Sequence, residues 1–361
     1  MIKQIRQFFV RLLAGANTAI IIIMLVVGYS GHIDPTTHPV WSSIGLSFPL
    51  LLAANVLFIV VWMLVKPRWV LLPLAGLLAG YQPVRNYFPL NPRQNPPLGS
   101  IKVMSYNVWG FGWTNEYGQV EEIARYIAEQ QADIVCLQEA EVDPPGQKIV
   151  DSLLNPIYQY CDTAKANSGA DVLTVYSKYP IIGKEHIEYN SAGNNSAAFF
   201  VKTEHDTIIV INNHLETIGL TMEEKSNFKQ MVDGGMRRDS AETTSQTIIE
   251  KIAEAARKRA PQAEAVADYI AKNKDRSIIL CGDFNDSPIS YTHHTIARQL
   301  TDCYVEAGFG PGISYHDSNF YVRIDNIMCS KNWKPYRCKV DNSITVSDHY
   351  PISCYLKNKR N

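Results

Sequence analysis

Residues 346–352, close to the C-terminus, read Val-Ser-Asp-His-Tyr-Pro-Ile. Within this stretch Asp348 and His349 are neighbours, and an apolar, strand-like segment follows them. An adjacent carboxylate and imidazole can serve one chemical centre, because one group can steer a metal ion or water while the other moves a proton. A Ser-Asp-His sequence also occurs by chance, so its meaning depends on the polar residues that precede it in the chain.

Five predicted strands upstream of this stretch end in polar residues of the types that bind metal ions or phosphate. Taken singly, each of these residues has an ordinary structural explanation, such as a turn, a helix cap, a surface carboxylate or a histidine in the core. All of them in this order are far less expected by chance, and together they predict one site at the strand ends. The residues are Asn107 after 101–106, Glu139 after Leu137-Gln138, His214 after Asn212-Asn213, Asp283 and Asn285 in Gly-Asp-Phe-Asn, and Asp325 in Arg-Ile-Asp.

The charge of the 361-residue chain is unevenly spread, and its length suits one large domain or two units. The first hundred residues hold seven Lys or Arg and a single acid, Asp34, so the remainder holds 27 basic and 34 acidic residues, a net charge of −7. An acidic soluble part argues against tight nonspecific binding of nucleic acid, which relies on basic patches. It does not exclude a nuclease that holds phosphate through metal ions.

Two apolar runs occupy the N-terminal part, at 12–29 and 44–65, and the second has about the length needed to cross a bilayer as a helix. A third run, at 69–81, is shorter. A signal peptide followed by buried core helices is the alternative, but it explains only the first run, and no clear cleavage site follows. We therefore predict a membrane anchor with two to three transmembrane helices over residues 1–90, a linker over 91–100 and a catalytic domain over 101–361.

The positive-inside rule places the N-terminus in the cytoplasm. Three basic residues precede the first run, the loop at 31–43 has no Lys or Arg, and Lys66 and Arg68 follow the second run. If the third run spans the bilayer, the catalytic domain lies outside the cytoplasm; if that run lies on the membrane surface, the domain is cytoplasmic. We favour three spans, which gives a multi-pass protein of a bacterial inner membrane with an extracytoplasmic catalytic domain.

From residue 101 onward, predicted strands alternate with helices. The stretch 118–131 has helical spacing, and the polar stretch 222–274 is mostly helical, with a break at Gly234-Gly235 and a new helix from Pro261. The pattern predicts an α/β (α+β) fold, a four-layer α/β/β/α sandwich of two mixed sheets flanked by helices. The predicted strands are 101–108, 133–138, 171–177, 197–202, 207–214, 277–281, 321–329 and 352–356.

All seven cysteines fall in the acidic part, mostly in apolar, strand-like runs and without any Cys-x-x-Cys spacing. Buried small side chains therefore explain them better than a disulfide framework or a metal cluster. The sequence also has no Walker-type phosphate loop, dinucleotide fingerprint, HExxH zinc motif or Gly-x-Ser-x-Gly elbow. ATPase, dehydrogenase, zinc-protease and serine-hydrolase functions therefore lack support.

As a set, these motifs resemble the endonuclease/exonuclease/phosphatase superfamily, which has the deoxyribonuclease-I-like fold. The resemblance runs from residue 101 to about 356, and the apolar N-terminal runs look like those of membrane-anchored bacterial members. The motifs are specific for the superfamily but poor at choosing a substrate. The matching pieces are Ser-Tyr-Asn-Val, Leu-Gln-Glu, Ser-Lys-Tyr-Pro-Ile at 177–181, Asn-His-Leu, Gly-Asp-Phe-Asn, Arg-Ile-Asp and Ser-Asp-His-Tyr-Pro-Ile.

The resemblance implies a Mg²⁺ site, with Mn²⁺ as the alternative cation. Glu139 would be the main ligand, since a carboxylate is a hard oxygen donor suited to a hard cation. Asn107 and Asp348 would complete the metal site, directly or through water. Whether one or two metal ions bind stays open.

The resemblance also implies four catalytic residues and a phosphate-binding amide. Asp283 would orient or deprotonate the attacking water, and His349 would take a proton or contact phosphate, with Asp325 fixing its tautomer. His214 would bind phosphate and stabilise the charge that grows in the transition state, or assist the leaving group, and Asn285 would hold a phosphate oxygen. Which of Asp283 and His349 is the base stays open.

The leading hypothesis is a membrane-anchored, Mg²⁺-dependent phosphoester hydrolase, phosphodiesterase or nuclease-like, acting on nucleic acid, nucleotide or phospholipid. A sphingomyelinase-type lipid phosphodiesterase and a phosphomonoesterase are alternatives within this class, and no obligate protein partner is evident. Another class of function is a membrane scaffold without catalytic activity. Such a protein would be expected to lose Glu139, Asp283 or His349, and all three are present.

Overall fold

The computed structural model describes residues 2–112, 117–166, 171–191 and 193–359. In these residues a group of apolar helices precedes two mixed sheets flanked by helices. This is the sandwich architecture that the sequence predicts.

The N-terminal helices are held together by a buried polar network. They are α1 (Ile2–Gly28), α2 (Pro39–Ser43), α3 (Phe48–Val65), α4 (Leu71–Ala79) and α5 (Tyr81–Tyr87), with short 3-10 helices at 30–32, 44–47 and 67–70. Asn17 of α1 donates to Asn55 of α3 at 3.2 Å, and Asn55 donates to the Pro73 carbonyl oxygen of α4 at 3.1 Å. Trp62 of α3 also donates to Asn17, at 3.0 Å. Such hydrogen bonds are an effective link between helices in apolar surroundings.

Two of the apolar segments could cross a membrane by length and composition, Lys3–His32 and Pro39–Val65. Only 28% and 17% of the residues in their most apolar windows are buried, whereas a core helix of a soluble protein is mostly buried. The third apolar run forms a shorter helical segment, Pro67–Ala79.

The first sheet contains strands from both ends of the catalytic region. Its parallel central pair is β1–β2, and the neighbouring pairs are antiparallel. Its order is β11 (Trp333–Val340), β12 (Ile352–Asn358), β1 (Ile101–Asn107), β2 (Ile134–Gln138), β4 (Val172–Ser177) and β3 (Tyr160–Lys165).

The second sheet repeats this plan, with the parallel central pair β7–β8 and antiparallel neighbours. Its order is β5 (Ile181–His186), β6 (Asn195–Lys202), β7 (Thr207–His214), β8 (Ile278–Asp283), β10 (Asp325–Cys329) and β9 (Thr301–Asp302).

The layers follow from which side chains each strand buries. On β8, Ile279 and Cys281 lie in the core between the two sheets, while Ile278 and Leu280 lie in a second core under the outer helices. A strand covered on both faces needs a continuous apolar run, which is what β8 has. The outer helices are α6 (Tyr117–Gln130) and α7 (Pro144–Leu154) on the first sheet, and α9 (Arg238–Lys272) and α10 (Tyr291–Ala297) on the second.

The prediction that Pro261 begins a new helix is wrong. The helix α9 runs through this proline without a break. A proline inside a helix costs about 3 kcal/mol or more, but α9 is buried on one face on both sides of Pro261, from Ala253 to Ile270. That packing holds the two parts in one helix. The predicted break at Gly234-Gly235 is confirmed, because α8 (Met222–Val232) ends just before it.

The N-terminal helices contact the sandwich at two places. The segment between α1 and α3 packs on it so closely that a Cβ at Gly31 would lie 2.3 Å from the Ile289 carbonyl oxygen, and α2 packs against α9. At the end of α5, Arg85 pairs with Glu306 at 2.8 Å; Glu306 belongs to α11 (Cys303–Ala307). The loop between the two long apolar helices and the sandwich are therefore in direct contact.

Candidate active site

Three neighbouring strands of the second sheet bring polar residues to one edge. In the parallel pair β7–β8, His214 lies opposite Asp283, and in the antiparallel pair β8–β10, Asp325 lies opposite the same Asp283. Residues far apart in sequence therefore meet at adjacent strand ends. Asp283 and Asp325 are fully buried there.

Two Asp–His pairs flank Asp283. His349 Nδ1 donates to Asp325 Oδ2 at 2.8 Å, and His214 Nδ1 donates to Asp171 Oδ1 at 3.0 Å. The Nε2 atoms of His349 and His214 lie 3.6 and 3.8 Å from the same oxygen, Asp283 Oδ2. Because each aspartate holds the Nδ1 side of its ring, both Nε2 atoms face one shared carboxylate.

The first sheet contributes Asn107 at the end of β1 and Glu139 just after β2. Asn107 Nδ2 donates to Glu139 Oε1 at 2.9 Å and to Asp283 Oδ2 at 3.2 Å. The amide oxygen of Asn107 accepts from the Trp109 N–H at 3.1 Å. Asn107 therefore links a carboxylate of one sheet to a carboxylate of the other, an arrangement that favours an orienting role.

The segment that carries Asp348 is fastened to β1. Ser347 Oγ donates to the Asn107 carbonyl oxygen at 2.8 Å and accepts from the His349 N–H at 3.2 Å. The Asp348 carboxylate lines the same cleft as Glu139. The serine of the Ser-Asp-His motif thus fixes where its two neighbours lie.

The backbone is unusual at three site positions. Glu139 and Asn285 both have φ of 51°, in the left-handed region that costs energy for residues other than glycine. Gly282, next to Asp283, has φ of 145°, and a Cβ there would lie 2.1 Å from the Asn213 carbonyl oxygen. Local strain of this kind concentrates where side chains are aimed at a functional site.

Burial and neighbouring charge shift the pKa values of these groups. Burial alone would lower the pKa of His214, but the charge and hydrogen bond of Asp171, with Glu139 and Asp283 nearby, raise it to about 10. For His349, burial likewise acts to lower the pKa, and the carboxylates around it, Asp325 foremost, raise that pKa well above its ordinary value.

The pKa values of two site carboxylates, Asp283 and Asp348, are raised, whereas an ordinary ion pair lowers the pKa of its carboxylate. Burial raises the pKa of Asp283 to about 6, although His349 and His214 partly offset this. Burial also raises the pKa of Asp348; His349 acts against this effect, and the charge of Glu139 adds to it. A cation between Glu139 and Asp348, which line the same cleft, would offset the repulsion of two like charges.

Two sets of residues could hold a divalent metal ion. Glu139 and Asp348 offer carboxylate oxygens to the cleft, the donor type that Mg²⁺ and Mn²⁺ prefer. Ligand atoms of Asp283, Asp325 and His349 also lie within 4.8 Å of one another. In that group Asp325 Oδ2 accepts the hydrogen bond from His349 Nδ1, while Asp325 Oδ1 is buried without a hydrogen-bond partner among the described residues. The first set is the more accessible from the cleft, because the Glu139 side chain is 35% exposed and those of Asp283 and Asp325 are 1% exposed.

The cleft over these residues has a volume of about 310 Å³, within the size range of small-ligand sites. Of the predicted site residues, Asn107 and Asp325 support the cleft from behind. Asn285 lines it, and its amide nitrogen donates to the Leu215 carbonyl oxygen at 2.9 Å and to Asp283 at 3.3 Å. The others that line it are Glu139, His214, Asp283, Asp348 and His349.

Sequence reasoning missed Asp171, the partner of His214. It starts a predicted strand, and no motif marks it as a site residue. Three basic residues of the catalytic region do not line the cleft: Lys178 pairs with Asp133 at 3.4 Å, and Arg237 and Arg238 are exposed where α9 begins.

Two mixed sheets with acidic residues and Asp–His pairs at one end define a class of phosphoester-cleaving proteins. The chain belongs to the endonuclease/exonuclease/phosphatase family, whose model matches residues 104–349. Members are usually hydrolases of phosphoester bonds and commonly use divalent metal ions. Residues 10–87 match a second family, described as a domain of unknown function (DUF8431). A comparison with curated proteins finds no match.

Solved structures share the fold at low sequence identity. Danio rerio TDP2, complexed with a single-strand DNA product, is 16% identical over 72% of this chain and 100% of that one, with a TM-score of 0.53. A family protein from Bacteroides thetaiotaomicron is 17% identical over 73% of this chain and 98% of that one, with a TM-score of 0.51. Such likeness supports the fold and leaves the substrate open.

Proposed function

We propose that this protein is a divalent-metal-dependent phosphoester hydrolase that acts on phosphodiesters. The proposal rests on the surroundings of Asp283. The Nε2 atoms of two Asp–His pairs face its carboxylate, and the Asn107 amide donates hydrogen bonds both to it and to Glu139. One cleft thus contains oxygen donors for a cation and groups that can exchange protons with water or a leaving group.

The residues of the cleft divide between metal binding and proton transfer. Glu139 and Asp348 would hold Mg²⁺ or Mn²⁺, with Asn107 orienting Glu139. When bound, the cation would stabilise the negative charge that grows on the phosphate oxygens. Asp283 and His349 are the two candidates for the group that takes the proton from the attacking water.

The remaining groups position these two or bind the substrate. Asp325 holds the Nδ1 side of His349, so its Nε2 faces the cleft. His214, held in the same way by Asp171, supplies a second imidazole to the phosphate or the leaving group. Asn285 would contact a phosphate oxygen by releasing one of the hydrogen bonds that its amide donates to Leu215 and Asp283.

The class of reaction can be tested with the full-length chain in dodecyl maltoside micelles and bis-p-nitrophenyl phosphate. We expect Mg²⁺- or Mn²⁺-dependent release of p-nitrophenolate that falls at least about tenfold in excess EDTA and returns when Mg²⁺ is restored. The proposal would be contradicted if the protein hydrolysed neither this diester nor oligonucleotide, nucleotide or phospholipid substrates with Mg²⁺ or Mn²⁺.

We further propose that residues 1–90 anchor the chain in a membrane and that the catalytic domain lies on the side opposite the N-terminus. The low burial of the two apolar segments supports anchoring. The contacts of Gly31 and α2 with the sandwich support placing the loop and the domain on one side. The basic residues before α1 and after α3 would then face the cytoplasm.

Protease treatment of intact spheroplasts tests this orientation. With an epitope tag after the C-terminus and expression in a bacterial host, we expect the protease to remove the tag without lysis, because the domain would be outside. A cytoplasmic marker protein must stay intact in the same sample. A tag that is cleaved only after lysis would contradict the proposed orientation.

A further inference from the structure

The active-site cleft has an apolar wall that the catalytic residues do not use. On one side lie the carboxylates and imidazoles already described. The rest of the lining includes aliphatic and aromatic side chains from four separate parts of the chain, which together are called the apolar wall. These are Leu46, Ile218, Leu220, Ile252, Phe320 and Val322.

Leu46 reaches this wall from outside the region that matches the catalytic family, which is residues 104–349. It lies in the 3-10 helix Ile44–Ser47, directly before α3. The neighbouring Gly45 lies against the sandwich, since a Cβ there would be 3.5 Å from the Ile289 side chain, and Leu46 and Ile252 line two adjoining cavities together. The N-terminal helices therefore supply part of the substrate cleft.

The charges of the cleft do not suit a long polyanion. Among the described residues that line it, the permanent cations are Lys225 and Arg259. Lys225 pairs with Asp317 at 2.8 Å, and the Arg259 Nε lies 3.4 Å from Asp286. Nucleic-acid sites rely on basic grooves that track the phosphates. Here both cations are matched by an aspartate, and the rest of the lining combines the apolar side chains with the hydroxyls of Thr217, Ser287 and Tyr315.

The position of the apolar wall relative to α3 indicates that an apolar ligand would enter the cleft from the membrane. Leu46 is 41% exposed and lies two residues before α3, near the start of the segment Pro39–Val65 that could cross a membrane. On the same segment Val40 and Trp41 are 49% and 61% exposed. Exposed tryptophan beside an apolar helix is typical of the interface between membrane and water. The apolar wall thus adjoins the segment that would lie at the bilayer surface.

We propose that the apolar wall binds the hydrocarbon chain of a membrane phosphoester, with Leu46 as a specificity-determining residue. This inference rests on the proposed hydrolase function and assigns the substrate class, an amphiphilic phosphodiester presented by the bilayer. Its phosphate would lie against the carboxylate and imidazole side of the cleft, and its chain would leave along Leu46 toward α3.

Two matched substrates test the inference, methyl p-nitrophenyl phosphate and octyl p-nitrophenyl phosphate. They share the scissile bond and the chromophore and differ only in chain length. With the full-length chain in dodecyl maltoside micelles, we expect kcat/KM to be at least about tenfold higher for the octyl ester, a gain that burial of two methylene groups suffices to give. In Leu46→Ser the ratio of octyl to methyl kcat/KM should fall by about tenfold.

The matched control is Val40→Ser, on the same segment but outside the cleft lining, which should keep the wild-type ratio. Equal kcat/KM for both esters, or a ratio that Leu46→Ser leaves unchanged, would overturn the inference while leaving the hydrolase function standing. Faster turnover of thymidine 5′-p-nitrophenyl phosphate than of the octyl ester would overturn it in favour of a nucleotide. No turnover of any ester with Mg²⁺ or Mn²⁺ would defeat the proposed function itself.

Discussion

Replacing Glu139 by alanine is expected to lower kcat/KM for bis-p-nitrophenyl phosphate by about 10³-fold, the loss that several kcal/mol of transition-state stabilisation corresponds to. Glu139 offers a carboxylate to the cleft, and the Asn107 amide holds it in place. Without it, Asp348 alone would have to hold the cation. The measurement is steady-state p-nitrophenolate release by the full-length variant over a range of Mg²⁺ concentrations, because loss of a ligand also raises the Mg²⁺ concentration needed.

The matched control is Glu141→Ala, two residues further on. The Glu141 carboxylate is about half exposed and lies 3.8 Å from Lys165 in a surface pair, which contributes little. We expect this variant to keep its activity within about twofold. Full activity of Glu139→Ala would show that Glu139 is not a metal ligand, and it would favour the alternative hypothesis of a membrane scaffold without catalytic activity.

Asp325→Asn is expected to lower kcat by about 10³-fold through its effect on His349. An amide in place of the carboxylate no longer favours the proton on Nδ1, so the Nε2 atom facing Asp283 loses its set orientation and its readiness to exchange a proton. Since Asp325 acts through His349, adding Asp325→Asn to His349→Ala should cost little more than His349→Ala alone. Kinetics of the two single variants and the double variant measure this coupling.

The chain contains a second buried Asp–His pair with the same contact distance, made by Nε2 of its histidine where His349 uses Nδ1. Asp302 and His293 are also buried and lie 2.8 Å apart, but neither lines the cleft among the described residues. Asp302 also caps the short helix α11. We therefore expect Asp302→Asn to lower the melting temperature and to leave kcat within about twofold. Additive losses in the Asp325 and His349 variants would argue that Asp325 has only a structural role.

The central strands could be predicted from the sequence, and the edge strands could not. Bounds were predicted for eight strands, and the four without predicted bounds, β3, β5, β9 and β11, are the two edges of each sheet. A central strand is covered on both faces, so its sequence is a continuous apolar run such as Ile278–Cys281. An edge strand keeps a solvated side, and its mixed sequence is hard to separate from a loop.

Those site residues that lie at strand ends or in recognisable motifs could be predicted from the sequence. All eight predicted residues lie in or directly behind one cleft, although their individual roles await the experiments above. Asp171 and Leu46 could not be found in this way, because each reaches the site through tertiary packing. Asp171 meets His214 across 43 positions of sequence, and Leu46 arrives from a helical segment outside the catalytic family's match.

The bridge from Glu139 through Asn107 to Asp283 has a consequence for how the protein folds. Glu139 follows a strand of the first sheet and Asp283 ends a strand of the second, and the Asn107–Asp283 contact spans 176 positions of sequence. Contacts of such separation are slow to form, because closing so long a loop costs entropy before the contacts stabilise it. Until the two sheets pack together, Asn107 and Glu139 are separated from His214, Asp283 and Asp325, and the site is incomplete. The time at which hydrolytic activity returns during refolding would therefore report when the two sheets pack against each other.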